Sequence, residues 1–370
     1  MIPVFRPSYD DEEFNAVKEV LKSGWAGLGP KTKEFEEKFA AYIGVKYAVA
    51  VNSATAALHL ALKVLEIEDA EVITTPMTFV STNHAILYNK GIPVFADIDA
   101  DTLNISPDSI KKFISNKTRC ILLVHYGGYP CDMDEIVAIA RENNLFIVED
   151  CAHACGAEYR GKKVGSIGDL GCFSFHAVKN LATGDGGMIT TDNERYYERL
   201  IRLRWLGITK DTWERGRYSK YSWYYDVAEV GYKCHMNDIA AAIGIVQLSK
   251  LERLNAKREE LTGLYNRLLM DIPEVRTPVL KPDRKSAYHN YVIKAEKRDE
   301  LNQYLAGEGV STSVHYFPNN HYEIYRGYKG DTPISDEVWK KIMTLPLFPD
   351  LRTEDVHLIS NKIKGFYGGP

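Results

Sequence analysis

"KYAVAVNSATAALHLALKVLEIEDAEVITTPMTFVSTNHAILYNKGIPVFAD", residues 46–97, switches back and forth between two kinds of run. "KYAVAV", "EVITTP" and "PVFAD" are short and apolar, which predicts strands. "TAALHLALKVL" and "TFVSTNHAILYN" are longer and lack breakers, which predicts helices. The alternation goes on through "SPDSIKKFI", "RCILLVHY", "MDEIVAIARENN" and "LFIVED". Short apolar strands separated by helices predict an α/β fold with a mostly parallel sheet covered on both faces. Ligands of such sheets bind beyond the carboxyl ends of the strands. Asn52 to Thr55, Pro76 to Phe79, His125 to Tyr129 and Asp150 all fall at those ends.

Upstream, "SYDDEEFNAVKEVLKSG" and "KTKEFEEKFAAYIG" read as two helices, the first with acidic residues in its first turn and Gly24 beyond its end. Downstream, residues 237–269 read as one long helix that bridges to a smaller α+β part. That part has strands "YHNYVIKA" and "STSVHYF", helix "RDELNQYLAGEG", and helices near 334–343 and 353–365. The expected organisation is a large α/β domain, residues 1–245, and a small C-terminal α+β domain, residues 246–370. The composition, 45% hydrophobic and 26% charged, is that of a globular protein. A net charge of −4 argues against a nucleic-acid surface. No signal peptide and no apolar run of membrane-spanning length are seen, so a cytoplasmic location and no membrane partner are expected. The six cysteines are scattered, which is no disulfide framework. "CAHAC" (151–155) has no second Cys/His cluster nearby in sequence, so no metal is expected there.

Lys179 lies in "CFSFHAVKNLATGDGG" (172–187), between an apolar run and a cluster of small residues. On residue type alone a solvated turn lysine is the plainer reading. A desolvated lysine, however, has a lowered pKa and can attack a carbonyl. Asp150 ends "LFIVED", and a buried aspartate there can hold a ring nitrogen protonated; a helix cap or a loop acid is the plainer reading. "NSATAAL" (52–58) offers helix-start N–H groups and the Ser53 and Thr55 hydroxyls for a phosphate, or simply a capped helix. Ser174 could join that shell, and Phe79 could stack on a flat ring rather than pack in the core.

Together these stretches resemble the DegT/DnrJ/EryC1/StrS nucleotide-sugar aminotransferases, which are fold type I pyridoxal-phosphate (PLP) enzymes. The resemblance runs through "GWAGLGPKTKEFEEKFAAYIG", "AVNSATAALHLAL", "VITTPMTFVSTNHAIL", "PVFADIDADTLNI", "VHYGGYPCDMDEI", the stretch 147–191, "GYKCHMNDIAAAIGIVQL" and "LPLFPDL", in order over nearly the whole chain. It implies that Lys179 carries the cofactor covalently and later moves the proton. Asp150 would bind the pyridine nitrogen, and His153, where the family often has Gln, the phenolic oxygen. Phe79 would cover the ring, while the Ala54 N–H, Thr55 and Ser174 hold the phosphate. A residue near "GYKCHMND" would cross from a second subunit to complete the phosphate site, so a homodimer with its active site at the interface is implied. Lys233, His235 and Asn237 are equal candidates for the crossing residue, and His235 is counted among the cofactor-binding residues. Asp185 stands where Glu is more usual.

The implied reaction takes an amino group from L-glutamate to a nucleotide-linked keto-sugar. "SATAALH", "GYKCHMNDI" and "VHYFP" look most like members acting at C4 of a 4-keto-6-deoxy or 4-keto-pentose sugar, the former being the reading carried forward. Some relatives have histidine in place of the lysine and are dehydratases, which Lys179 disfavours. A catalytically idle regulatory relative is disfavoured on the same ground. "HYFPNNH" and the aromatic, arginine-rich segment 213–225, with Arg215 or Arg217 on the diphosphate, are the candidates for substrate contacts.

Overall fold

The computed structural model describes residues 1–209 and 224–368. Helix α1 (Asp11–Ser23) starts in a capping box between Asp10 and Glu13 and ends at Gly24, whose φ of 74° places it in the left-handed region. Helix α2 (Pro30–Ile43) begins on a proline and buries Phe35, Phe39 and Ile43, which stand four residues apart on one face. The alternating region follows as β1 (Tyr47–Val51), α3 (Ala54–Val64), β2 (Glu71–Thr74), α4 (Val80–Tyr88) and β3 (Ile92–Ala96). Next come α5 (Pro107–Phe113), β4 (Thr118–Val124), α6 (Met133–Asn143) and β5 (Phe146–Asp150). A small hairpin, β6 (Glu158–Tyr159) and β7 (Lys162–Lys163), precedes β8 (Leu170–Ser174), β9 (Gly187–Thr191) and α7 (Glu194–Leu203).

The main sheet has eight strands in the order β1-β9-β8-β5-β4-β2-β3-β13, where β13 is Gly330–Asp331. Its pairs are parallel except that β9 runs antiparallel to both β1 and β8. The mostly parallel sheet expected from the alternation is therefore present, with one reversed strand inside it. Apolar side chains cover both faces. One layer gathers Val49, Leu58, Leu62 and Ile189, and another Ile73, Val94, Ile121 and Ile136. Strands so enclosed carry apolar residues at nearly every position, which is why they read as runs without alternation.

Helix α8 (Asp238–Leu269) is the expected long helix, 32 residues. Asn237 caps it through a 2.9 Å bond from the Ala240 N–H to Oδ1. Beyond it lie β10 (Val275–Arg276), β11 (Arg284–Lys285), β12 (Tyr291–Ala295), α9 (Arg298–Gly307), α10 (Pro333–Val338), β14 (Ile342–Leu345) and α11 (Thr353–Gly368). A second sheet runs β10-β12-β14. Two local expectations are corrected here. Residues 311–317 do not form a strand; only Ser313 bridges to Thr344, and the chain then leaves the sheet. The helix read at 334–343 stops at Val338, because Ile342–Leu345 pairs antiparallel with β12 and buries Ile342, Met343 and Leu345. Tertiary pairing outweighs local helical preference there.

Candidate active site

A cleft of about 400 Å³ opens beyond the carboxyl ends of β1, β2 and β5. Its lining includes Ser53, Ala54 and Thr55 from the start of α3, and Phe79 from the entry to α4. Asp150, His153, Ser174 and Lys179 complete the group. Ala54, Thr55, Phe79, Asp150, His153, Ser174 and Lys179, each given a cofactor contact in the sequence reading, thus meet in one place, although they span residues 54 to 179.

The start of α3 is arranged by its cap. Ser53 Oγ accepts from the Ala56 N–H at 3.1 Å, so Ser53 is the N-cap and the free amides at Ala54 and Thr55 face the cleft end. Gly187 of β9 lies directly beneath. A Cβ at that position would fall 2.5 Å from the Ser53 carbonyl oxygen and 2.8 Å from the Ala54 nitrogen. Any larger residue would push the helix start away. Gly187→Val is expected to lower the affinity for an anion held there at least tenfold, as measured by equilibrium binding of pyridoxal 5′-phosphate.

Strand β5 ends in two buried carboxylates that face opposite sides. Glu149 receives His125 Nε2 at 2.9 Å and the backbone N–H groups of Gly165, Ile167 and Gly168 at 2.9, 2.9 and 2.6 Å. Burial would raise its pKa, but these donors hold it below the usual carboxylate range. Asp150 is served less well. Its Oδ2 accepts from Thr82 Oγ1 at 2.8 Å and its Oδ1 from the Ala152 N–H at 3.0 Å, and burial still raises its pKa. Such a carboxylate favours a cationic partner in the cleft.

Lys179 stands in the turn between β8 and β9, which is closed by the bonds Phe175 N–H to Gly186 O and Thr183 N–H to Phe175 O, each 2.8 Å. Burial of its amine lowers the pKa to about 8, against the pull of Asp150. The folded chain therefore binds this proton less tightly than the unfolded chain does. Below pH 8 both states are protonated and the whole cost is present; it is relieved as pH rises toward the unfolded value near 10.5. Lys179→Met is expected to raise the melting temperature of the apoprotein by a few degrees at pH 7, with the gain vanishing near pH 10.

His153 is buried, and burial, Lys179 and His315 push its pKa well below the ordinary value. Its Nδ1 accepts from the Gly127 N–H at 3.3 Å, which leaves the proton on Nε2, 3.0 Å from the Tyr316 hydroxyl. Phe79 is 59% exposed, so its ring is presented at the cleft mouth and is not core. Ser174 is buried at the end of β8.

His235 is not in this cleft. It bridges to Val51 and sets its ring edge-on to Trp205, 4.4 Å between centroids. Lys233 lies over the same indole at 3.7 Å, and Asn237 is occupied in capping α8. Arg215 and Arg217 lie outside the described residues. His315 and Tyr316 of "HYFPNNH" line the cleft. His289, Thr82 and Phe5 also line it and were not singled out in the sequence. A single histidine ahead of a strand carries no pattern to mark it. All six cysteines are buried and unpaired. Burial raises the thiols of Cys151 and Cys155, the latter to about 12, and so keeps both neutral.

The model of the DegT/DnrJ/EryC1/StrS aminotransferase family matches residues 7–364. The spore coat polysaccharide biosynthesis protein SpsC of Bacillus subtilis is 42% identical, aligned over 100% of this chain and 97% of its own. Among solved structures, the PMP form of Spr1654 from Streptococcus pneumoniae superposes with a TM-score of 0.94 at 32% identity, covering 100% of this chain and 99% of that one. A PLP form of the same protein also matches. PseC of Helicobacter pylori, an aminotransferase involved in the biosynthesis of pseudoaminic acid, gives a TM-score of 0.92 at 29% identity, covering 99% of each chain.

Proposed function

The chain belongs to the DegT/DnrJ/EryC1/StrS aminotransferase family and is a pyridoxal 5′-phosphate-dependent sugar transaminase of fold type I, and we propose that it carries an amino group from L-glutamate to C4 of a nucleotide-linked 4-keto-6-deoxy sugar. One observation carries the site assignment: a desolvated amine, Lys179, and an under-served carboxylate, Asp150, share a cleft with the hydroxyl-rich start of α3.

These residues fit the cofactor by their chemistry. The Ala54 N–H, Thr55 and Ser174 would hold the phosphate, with Gly187 allowing the close approach. Asp150 would keep the pyridine nitrogen protonated, and His153 would donate from Nε2 to the phenolic oxygen. Phe79 would cover the ring and keep water from one side. When bound, the cofactor supplies an aldehyde that takes up the amino group and a ring that disperses charge from the substrate carbon. Lys179 would attach the cofactor while its amine is neutral and, once released, move the proton at the substrate carbon.

The second subunit belongs to this reading. Helix α1 exposes Phe14 and Leu21, seven residues apart on one face, and Val230 is 87% exposed near His235. Exposed apolar side chains of this kind favour a homodimer, whose seam would pass the active site. The division of the chain near residue 245 and a cytoplasmic location are part of the same reading; among the described residues no helix is long and apolar enough to cross a membrane.

The test is a panel of nucleotide-linked keto-sugars with L-glutamate, followed by product mass and position of the new amine. A product aminated at C4 supports the proposal. Amination at C3 only, or of sugars without a nucleotide, overturns its finer part. Loss of water without amine transfer would favour a dehydratase.

A further inference from the structure

The geometry points to His289 as a positioning residue for Lys179: a neutral imidazole whose Nε2 lone pair aims the lysine amine and never takes its proton. The inference rests on Lys179 being the attachment point of the cofactor.

The tautomer follows from two backbone carbonyls, which can only accept. Asn255 Nδ2 donates to the Cys155 carbonyl at 3.0 Å, so Asn255 Oδ1 faces the other way. That oxygen accepts from Asn180 Nδ2 at 2.7 Å, and the same Nδ2 donates to the Ala287 carbonyl at 2.6 Å. Asn180 Oδ1 is thereby left as the acceptor that meets His289 Nδ1 at 3.1 Å. Nδ1 must carry the hydrogen, and in a neutral ring Nε2 then carries the lone pair. Nε2 lies 3.5 Å from Lys179 Nζ. Gly156 makes room for this chain: a Cβ there would fall 2.6 Å from Asn255 Nδ2.

The surroundings keep the ring neutral. His289 is buried, and Lys179, His153, Arg258 and His315 face it, every one a cation or a potential cation. Phe5 stacks on it at 5.1 Å with the planes 2° apart, which fixes the ring without adding an acceptor. A proton transferred to Nε2 would create a buried imidazolium among those groups. Toward Lys179 the ring therefore serves as an acceptor only. It supports the ammonium form of Lys179 and holds Nζ in one direction. Lys179 in turn faces Asp150, His153, His289 and His315.

The test uses the refolded or stripped apoprotein and the rate of covalent attachment of pyridoxal 5′-phosphate, followed by absorbance across pH 6–10. Borohydride trapping and peptide mapping of the wild type report separately whether Lys179 is the attachment point. His289→Phe keeps a ring against Phe5 but removes the acceptor. The midpoint of its attachment profile is expected to fall by about one pH unit, and its plateau rate by about tenfold. His289→Gln, with a carbonyl oxygen near the place of Nε2, is expected to restore the wild-type midpoint. Unchanged midpoints in both variants, or equal shifts in both, would overturn the proposal. A measurement needing no folded phenylalanine variant is ¹⁵N NMR of histidine-labelled wild-type apoprotein, with the signal assigned by its loss in His289→Gln. A neutral Nδ1–H tautomer from pH 6 to 9 is expected. An imidazolium or an Nε2–H tautomer in that range would overturn the inference.

Discussion

Lys179→Ala is expected to lower amine transfer at least about 10⁴-fold, because one substitution removes both the nucleophile and the proton carrier. The fold should survive. Lys179 sits in a turn closed by backbone bonds of its neighbours, and its side chain opens on the cleft. The loss of an amine whose pKa burial has lowered to about 8 relieves a cost at neutral pH. The variant should keep the cofactor by its phosphate and ring contacts, yet borohydride should leave no tag on it. Lys179→Arg separates charge from nucleophilicity. The guanidinium stays charged and cannot condense with an aldehyde, so it should be as inactive as alanine. Turnover within tenfold of wild type in either variant, or a borohydride tag on another lysine, would show that the chemistry resides elsewhere.

Much of this was legible because the decisive strands are buried on both faces. A strand such as "CILLV" within β4 has no polar face to confuse its reading, and its carboxyl end marks the cleft. Residues 311–317 misled for the opposite reason. "STSVHYF" alternates like a half-exposed strand, but His315 and Tyr316 are turned into the cleft and within the stretch only Ser313 forms a β-bridge. His289 left no trace in the sequence at all. Its partner lies 110 residues away, and its tautomer is set by Asn180 and Asn255, which look like ordinary loop and helix residues. The order of Glu149 and Asp150 was legible only in part. The sequence shows two carboxylates at a strand end; the alternation of β5 sends one into a cage of donors and the other into the cleft.

That division makes Asp150→Asn the second substitution with a large expected effect. The amide is nearly isosteric, and its Oδ1 can still accept from the Ala152 N–H. What it loses is the negative charge that would sustain a protonated ring nitrogen. A carboxylate in that role raises the nitrogen's pKa by roughly one to three, so turnover is expected to fall about 10- to 10³-fold. Stability should move in opposite directions with and without cofactor. Burial raises the pKa of Asp150 in the apoprotein, which makes the charged form costly: that cost is absent at low pH and enters as pH rises through the ordinary carboxylate range to the folded value. At neutral pH the Asn variant without cofactor should melt no lower than wild type. With cofactor bound the order should reverse, because only the carboxylate gains a cationic partner. Thermal melts of both proteins, with and without pyridoxal 5′-phosphate, measure this directly. An Asn variant that melts with cofactor as high as wild type and turns over within threefold of it would place the ring nitrogen away from Asp150.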